Sequence, residues 1–233
     1  MKKRYLEKFN NYDHLTIVLI GSSITAQDWC HPNWHDWLNY TLKQDENWEL
    51  CWKRKIINVA RDGATINHYI ENFDSEIKGF KPDLVIESLG LNSINPILNA
   101  EKTKEDLKKL NKMIVENNIE LVTWSYLINK PEYFESLKIL RNIHKELSKE
   151  LNYQFVDIMV EFEKHDLIKL FDFVYPWHNE VWDIKPGDID YLHCNVVGNQ
   201  IIAETLAREV FNTELNSDEF GTMKLINLTE YSK

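Results

Sequence analysis

Five short apolar runs, separated by longer amphipathic stretches, restrict the fold of this chain more than any other feature of its sequence. The runs cover residues 15–20, 56–59, 84–86, 121–124 and 155–159. Each run is brief, rich in branched side chains and almost continuously apolar, which is typical of strands buried on both faces of a parallel sheet. The pattern therefore predicts five buried strands.

The stretches between these runs carry the start signals of helices. Thr103 and Asp106 form a capping-box pattern ahead of apolar residues that recur on one helical face. Pro131 opens a second amphipathic stretch, and Asn195 is a favourable N-cap for a third. Strands that alternate with helices predict an α/β fold, a three-layer α/β/α sandwich that binds ligands at the carboxyl ends of its parallel strands.

Length and charge narrow the class of protein further. A chain of 233 residues can bury a full core, and no repeat or low-complexity linker divides it. We therefore expect a single domain over residues 1–233, with a polar tail or last surface segment at 213–233. The chain has 27 basic and 37 acidic side chains, a formal net charge of -10. This charge repels nucleic acids and anionic membrane surfaces, so neither is an expected partner.

The sequence also predicts the cellular compartment of the protein. The longest strongly apolar run, residues 15–20, is far shorter than a membrane span, and polar residues follow the basic N-terminus where a signal peptide needs an apolar core. The three cysteines, Cys30, Cys51 and Cys194, are an odd number without metal-site spacing, which suits reduced thiols. We expect a cytoplasmic protein without membrane insertion.

The first block that carries chemistry follows the first predicted strand and contains Ser23. The sequence Gly-Ser-Ser-Ile-Thr at residues 21–25 puts a serine hydroxyl at the carboxyl end of the strand, near the start of the next helix. A nucleophile in such a turn is exposed, and its backbone N–H can stabilise an oxyanion. An N-cap serine is the alternative interpretation, and the pentapeptide alone does not decide between them.

Two further blocks, around Gly63 and around Gly90 and Asn92, follow the second and third predicted strands. A glycine lets a backbone N–H approach a ligand, and an asparagine amide supplies a further donor. Each block taken alone is more typical of an ordinary turn. The chain has only seven glycines, however, and Gly21, Gly63, Gly90 and Gly198 all lie in the blocks described in this section.

The last block pairs Asp190 with His193 just before the final helix. Three-residue spacing in a turn lets the carboxylate reach one imidazole nitrogen, so that the other nitrogen can accept a proton from a serine. A capped helix start with an incidental histidine is the alternative. Together with Ser23 as nucleophile, this block would supply the base, His193, and the carboxylate that orients it, Asp190.

The four blocks, in this order, resemble those of the SGNH hydrolases, also called the GDSL lipase and esterase superfamily. The resemblance covers about residues 15–212 and implies a flavodoxin-like α/β/α fold. It further implies a serine esterase with Ser23 as nucleophile and Asp190 and His193 completing the triad. Gly63 and Asn92 would join the Ser23 N–H in the oxyanion hole, and no metal or organic cofactor is implied.

Four positions depart from the usual family pattern without removing a reacting group. These are Ser22 in place of aspartate, Ala60 in place of glycine, Ser93 in place of aspartate and Cys194 in place of proline. The departures bear on the subfamily rather than on the reaction. The adjacent serines leave two possible nucleophiles, and the Ile-Thr that follows favours Ser23 by register with the family pattern.

The expected reaction is hydrolysis of short-acyl esters through an acyl-enzyme, such as O-deacetylation of a carbohydrate. An O-acyltransferase, a lipase or thioesterase, and a non-catalytic binding module on the same fold are the alternatives.

Residues near both ends of the triad are candidates for substrate contacts. Aromatic side chains are more often packing than ligand platforms, yet these lie close in sequence to the catalytic blocks. The candidates are Trp29, Trp34, Trp177 and His178. A metal site at His31 and His35, with Asp28 and Asp36 near, can be imagined, but no third ligand completes it.

Overall fold

The computed structural model describes residues 3–26, 29–44, 50–93, 99–180, 182–216 and 224–233. Its centre is a parallel sheet with the strand order β2-β1-β3-β4-β5. The strands are β1 (Leu15–Gly21), β2 (Arg54–Asn58), β3 (Leu84–Ser88), β4 (Glu120–Trp124) and β5 (Gln154–Val156). Each overlaps one of the five apolar runs, because β1, β3 and β4 are buried almost throughout and a strand covered on both faces is mostly apolar.

Helices cover both faces of this sheet. In the described residues they are α1 (Arg4–Asn10), α2 (Trp34–Lys43), α3 (Leu50–Lys53), α4 (Ile66–Glu71), α5 (Phe73–Glu76), α6 (Ala100–Glu116), α7 (Phe134–Leu151), α8 (Ile158–Phe162), α9 (Leu167–Leu170) and α10 (Val196–Phe211). Helices α2 and α10 pack against each other, whereas α6 packs against α4 and α7. Right-handed crossovers put these two groups on opposite faces of the sheet. The predicted α/β sandwich is confirmed.

Some predicted boundaries are wrong by a few residues. Helix α6 begins at Ala100, because the Asn99 side chain accepts the Lys102 N–H at 3.0 Å and caps it before Thr103. The fifth run also ends early as a strand. Asp157 turns the chain into α8 after Val156, and its carboxylate is held by the Ser125 hydroxyl at 3.0 Å.

The final helix begins where the sequence predicts. The Asn195 side chain accepts the backbone N–H groups of Val197 at 3.0 Å and Gly198 at 3.3 Å. Because this cap fixes the first turn of α10, it also fixes the loop that precedes it, which carries Asp190 and His193. No helix in the described parts of the chain is long and apolar enough to cross a membrane.

The C-terminal segment 224–233 packs along the surface of the sandwich. The Ile226 N–H donates to the Gln200 side chain of α10 at 2.8 Å, and the Asp166 N–H donates to the Tyr231 carbonyl at 2.8 Å. These bonds tie the last described residues to α10 and to the start of α9. The segment is therefore attached to the domain surface.

Candidate active site

Ser23 lies in a single tight turn at the carboxyl end of β1. The Thr25 N–H donates to the Ser22 carbonyl at 2.9 Å, and Ser23 is 9% exposed. The strand ends at Gly21, where a Cβ would lie 2.4 Å from the Thr25 hydroxyl, so only glycine lets the turn fold back. The next described helix, α2, starts later, at Trp34, and its N-cap is Asn33, so Ser23 does not cap it.

Two side chains fasten this turn to the neighbouring strand end. Asn58 at the end of β2 donates its amide to the Thr25 carbonyl at 2.7 Å. The Tyr69 hydroxyl donates to the Gly21 carbonyl at 2.7 Å, and burial raises the pKa of Tyr69 to about 12, so the donor keeps its proton. Neither role was predicted, since a lone asparagine or tyrosine gives no sequence signal for a partner that lies far along the chain.

Asp190 and His193 form a buried hydrogen-bonded pair in the loop before α10. The distance from Asp190 Oδ2 to His193 Nδ1 is 2.7 Å, and Asp190 Oδ1 accepts the N–H groups of Leu192 at 2.7 Å and of His193 at 3.1 Å. Asp190 is 0% exposed and His193 is 5% exposed. A carboxylate that accepts three N–H donors fixes Nδ1 as the protonated nitrogen, which leaves Nε2 as an acceptor.

The free nitrogen of His193 opens into the same small cavity as Ser23. Nε2 is buried and has no hydrogen-bond partner within the described residues. The cavity is lined by Ser23, Ile24, Trp29, Cys30, Asn33, His193, Cys194 and Asn199. Residues 170 positions apart in sequence, a serine and an imidazole, thus meet at the carboxyl edge of the sheet.

Tyr126, just after β4, supports the loop of Asp190 and His193 from beneath. Its hydroxyl donates to the Leu192 carbonyl at 3.0 Å and accepts the Cys194 N–H at 3.2 Å. Burial raises the pKa of Tyr126 well above its ordinary value and raises that of the Cys194 thiol to about 12. Both groups therefore stay protonated and neutral next to the pair. Sequence analysis missed Tyr126, because nothing near it in the chain marks it.

The Gly63 and Asn92 blocks contact each other at the same edge of the sheet. Asn92 Nδ2 donates to the Ala64 carbonyl at 3.0 Å, and Asn92 lies in the 3₁₀ turn Leu91–Ser93 directly after β3. Gly63 has a φ of 68°, a left-handed conformation that explains the glycine. The structure thereby joins the two turns that the resemblance assigns to an oxyanion hole.

An aromatic series runs from His193 to the surface. The Trp29 ring stacks on the His193 ring with centroids 4.1 Å apart and an angle of 4°. Tyr175 stacks on Trp29 at 5.7 Å, and Trp177 meets Tyr175 edge-on at 5.6 Å. Trp177 is 58% exposed, and His178 beside it is also exposed. Of the predicted aromatic contacts, Trp29 and Trp177 therefore lie in one connected group with the imidazole.

The prediction that Trp34 contacts substrate is wrong. Trp34 is 0% exposed, and its ring packs edge-on against Trp124 with centroids 5.7 Å apart. Its backbone N–H donates to the Asn199 side chain at 3.0 Å, which ties α2 to α10. Trp34 is a core residue, because the start of α2 turns it inward rather than toward the cavity.

The imagined metal site at His31 and His35 lacks a sufficient ligand set. Both imidazoles lie near Asp36, at 3.5 Å and 3.4 Å from its carboxylate oxygens. Asp28 lies outside the described residues, and among those that are described no group of three potential ligands could hold an ion. Asp36 instead caps α2 through the Asn33 N–H at 2.8 Å.

Comparison with known families identifies the class of this protein. Residues 19–201 match the GDSL-like Lipase/Acylhydrolase family, which spans most of the chain and all four blocks. The chain belongs to this family and is a serine ester hydrolase of the SGNH type. Comparison with curated protein sequences gave no significant match.

Solved structures share the fold at low sequence identity. The acetyl xylan esterase AlAXEase superposes with a TM-score of 0.66 at 16% identity, over 84% of this chain and 100% of that chain. A catalytic mutant of Axe2, an acetylxylan esterase from Geobacillus stearothermophilus, gives 0.67 at 16% identity, over 88% and 98%. LAE5, an α/β hydrolase enzyme from the metagenome of Lake Arreo in Spain, gives 0.64 at 15% identity, over 84% and 94%.

Proposed function

We propose that this protein hydrolyses esters through a Ser23 acyl-enzyme, with His193 as general base and Asp190 as the orienting carboxylate. The observation that carries the proposal is the state of the imidazole. Nδ1 is held by Asp190 at 2.7 Å, and Nε2 is buried without a partner in the cavity that Ser23 lines. This leaves one nitrogen able to take the serine proton.

In the proposed reaction, Ser23 Oγ attacks the ester carbonyl while its proton passes to His193 Nε2. The tetrahedral intermediate collapses as the imidazolium returns that proton to the departing alkoxide. A water molecule then repeats the sequence on the acyl-enzyme, which releases the carboxylic acid and restores the serine. Asp190 stays ionised throughout and stabilises the imidazolium.

The Ser23 and Gly63 N–H groups and the Asn92 amide are the proposed oxyanion donors. Asn92 Nδ2 carries two hydrogens, and only one is needed for its bond to the Ala64 carbonyl. The other can donate to a developing negative charge. Fixed donors of this kind stabilise the transition state more than the ground state.

The proposed substrates are short-acyl esters, in particular O-acetylated carbohydrates. The cavity at Ser23 has a volume of only about 10 Å³. Trp29 lines this cavity, and its ring covers one face of the His193 imidazole. Trp177 presents an exposed ring on which a sugar could stack, with His178 beside it. These features favour a small acyl group, such as acetyl, over a long acyl chain.

The comparisons support the same assignment. Catalytic mutants of Axe2 replace a serine, an aspartate and a histidine, and its aspartate precedes its histidine by three positions. Ser23, Asp190 and His193 have the same residue types and the same final spacing. Axe2 and AlAXEase are described as acetylxylan esterases, which is consistent with an acetylated saccharide as substrate here.

A cytoplasmic location and a single domain over residues 1–233 belong to the same proposal. Cys30 and Cys194 are buried free thiols and Cys51 is an exposed one. Free thiols suit a reducing compartment. The charge of -10 supports an uncharged or weakly charged substrate rather than a nucleic acid.

A fluorophosphonate probe tests the proposed nucleophile directly. Wild type should be labelled and should release acetate from acetylated xylooligosaccharides, and Ser23→Ala should do neither. Ser22→Ala is the matched control, because Ser22 is an adjacent buried serine outside the proposed triad. Labelling lost only in Ser22→Ala would identify the other serine, and no labelling of wild type would favour a binding module. Acylated acceptor in place of free acid would indicate an acyltransferase.

A further inference from the structure

A buried carboxylate and a buried imidazole lie behind the turn that carries Asn92. Glu87, on β3, is 0% exposed, and His144, on α7, is 1% exposed. Glu87 Oε2 and His144 Nδ1 face each other at 3.8 Å. Both side chains hold the same residue: Glu87 Oε1 accepts the Leu89 N–H at 2.7 Å, and His144 Nε2 lies 3.1 Å from the Leu89 carbonyl oxygen.

Glu87 Oε2 and His144 Nδ1 are too far apart for a hydrogen bond, and neither atom has another partner within the described residues. A carbonyl oxygen only accepts, so His144 Nε2 carries the hydrogen of its bond to Leu89. In a neutral imidazole, Nδ1 is then a bare acceptor that faces the carboxylate oxygen of Glu87. Two acceptors in a buried contact repel each other unless a proton lies on one of them. One proton on either atom relieves this repulsion, and we call it the shared proton of the pair.

The surroundings favour the neutral form of each group. Burial raises the pKa of Glu87 to about 8 and lowers the pKa of His144 to about 4. Among the described residues, Tyr153 also faces Glu87, and burial raises the pKa of its phenol, which therefore stays neutral. Of the cations near His144 on α7, Arg141 is bound to Asp157, with Nε and Oδ2 at 2.8 Å, and Lys145 is exposed to solvent.

The anchored residue leads directly into the proposed oxyanion turn. Gly90 follows Leu89 with a φ of 99°, and a Cβ at Gly90 would lie 2.6 Å from a Leu140 methyl group of α7. Asn92 comes two residues later. The turn is thus packed on α7 at Gly90 and held at both polar groups of the Leu89 residue, so its direction depends on Glu87 and His144.

We propose that Glu87 and His144 are positioning residues, whose shared proton holds Leu89 and thereby directs Asn92 toward the oxyanion. This inference rests on the proposed function, because it assigns the pair a role in that same site. Loss of the shared proton in alkaline solution leaves a buried carboxylate opposite an imidazole lone pair. The turn then loosens, and the chemical step slows while substrate binding changes little.

Glu87→Gln separates this role from a merely structural one. A glutamine keeps an oxygen for the Leu89 N–H and places an N–H donor, which does not titrate, opposite His144 Nδ1. We expect wild-type kcat to fall above about pH 8 and that of Glu87→Gln to stay level up to about pH 10, with KM unchanged within about twofold. Glu135→Gln, an exposed glutamate of α7 at its other end, should keep the wild-type profile.

Glu87→Leu and His144→Leu should lower kcat by about tenfold at every pH, less than the 10²–10³ expected for removal of a whole oxyanion donor. Thermal unfolding at each pH confirms that the variants compared are folded. The same alkaline fall in wild type and Glu87→Gln would overturn the inference, even if Glu87→Leu fails to fold. So would an unchanged kcat in a folded Glu87→Leu.

A measurement independent of turnover separates this inference from the proposed function. In ¹⁵N-histidine spectra, assigned with His144→Leu, the His144 signals should shift in one step near pH 8 in wild type and not in Glu87→Gln. If the His144 signals of wild type show no step near pH 8, the pair does not carry the shared proton and the inference fails. If the step is present but wild type neither binds the fluorophosphonate nor turns over esters, the proposed function fails and the positioning role fails with it.

Discussion

Individual hydrogen bonds to Asp190 determine the orientation and the tautomer of the His193 imidazole. Asp190 accepts three N–H groups, among them His193 Nδ1, and every one of these bonds favours the tautomer with a bare Nε2. A group that can donate in place of the carboxylate would stabilise the other tautomer. The effect of Asp190 is therefore one of orientation and charge, and it transfers no proton.

Asp190→Asn should lower kcat by about 10³–10⁴, because an amide can donate to Nδ1 and so favour the wrong tautomer of His193. His193→Ala should lower kcat at least as much. Steady-state kinetics with an acetyl ester measure both variants. Since Asp190 is fully buried, thermal unfolding is the control, and a folded Asp190→Asn with wild-type kcat would contradict the assigned triad.

The stability of the fold should depend on pH through Glu87. The pKa of this carboxyl is raised from 4.5 to about 8 in the folded protein, so its contribution to stability is complete below about pH 4.5 and is lost as pH rises to about 8. Glu87→Gln has no such group. Its free energy of unfolding should rise relative to wild type by up to about 1.4 kcal/mol per pH unit in that window.

Urea unfolding at several pH values measures this difference. His144 acts in the opposite direction, since its pKa is lowered to about 4 and its contribution is lost only as pH falls from about 6.5 through that value. Parallel stability curves for wild type and Glu87→Gln between pH 5 and pH 8 would show that folding does not raise the pKa of Glu87.

At the scale of elements, the loops at the carboxyl edge carry the site, and the strands only bring them together. The segment 171–195 contributes both the Asp190 and His193 pair and the ring of Tyr175, on which Trp29 stacks. Trp177 extends this loop into solvent. Because the Trp177 side chain is exposed, its removal should leave the core intact.

Trp177→Ala should therefore keep the thermal stability of wild type and raise KM for acetylated xylooligosaccharides by about 10-fold, the loss of a stacking contact of about 1 kcal/mol or slightly more. For a small acetyl ester without a sugar, KM should not change. Trp52→Ala is the matched control, because Trp52 is 81% exposed and precedes β2 at the opposite edge of the sheet. Equal effects in both variants would remove Trp177 from the substrate site.

At the scale of the whole molecule, the sandwich leaves little space between its two catalytic segments. The turn after β1 and the loop before α10 meet with only about 10 Å³ between them. We expect kcat/KM to be highest for acetyl esters and to fall with acyl length across a series from acetyl to decanoyl. Since one missing or added methylene in a pocket is worth about 10–200-fold in kcat/KM, the fall should be steep.

A maximum at eight or ten carbons would contradict the short-acyl assignment and favour a lipase or thioesterase. Measuring the series on Trp29→Ala as well shows whether the ring over His193 limits the length. Trp29→Phe is its control, because a phenyl ring can keep the stack. Acceptance of longer chains only in Trp29→Ala would identify Trp29 as the wall of the acyl pocket.

Local signals in the sequence were sufficient for the elements and for pairs close along the chain. The five apolar runs predicted the strands, because a strand covered on both faces admits few polar residues. Asn195 predicted the start of α10, since a cap acts within one helical turn. The spacing of Asp190 and His193 predicted their contact for the same reason, as three residues of a turn bring the two side chains together.

Contacts between distant segments were decided only by the tertiary structure. Trp29 and Trp34 are five residues apart and chemically alike, yet one stacks on the imidazole and the other is core, because α2 begins at Trp34 and turns that ring inward, whereas Trp29 precedes the helix. Asn58, Tyr69 and Tyr126 gave no signal, since their partners come from other strand ends. Glu87 stood in the sequence as a polar residue in an apolar strand, but only the packing of α7 on the sheet brought His144 to within 3.8 Å of it.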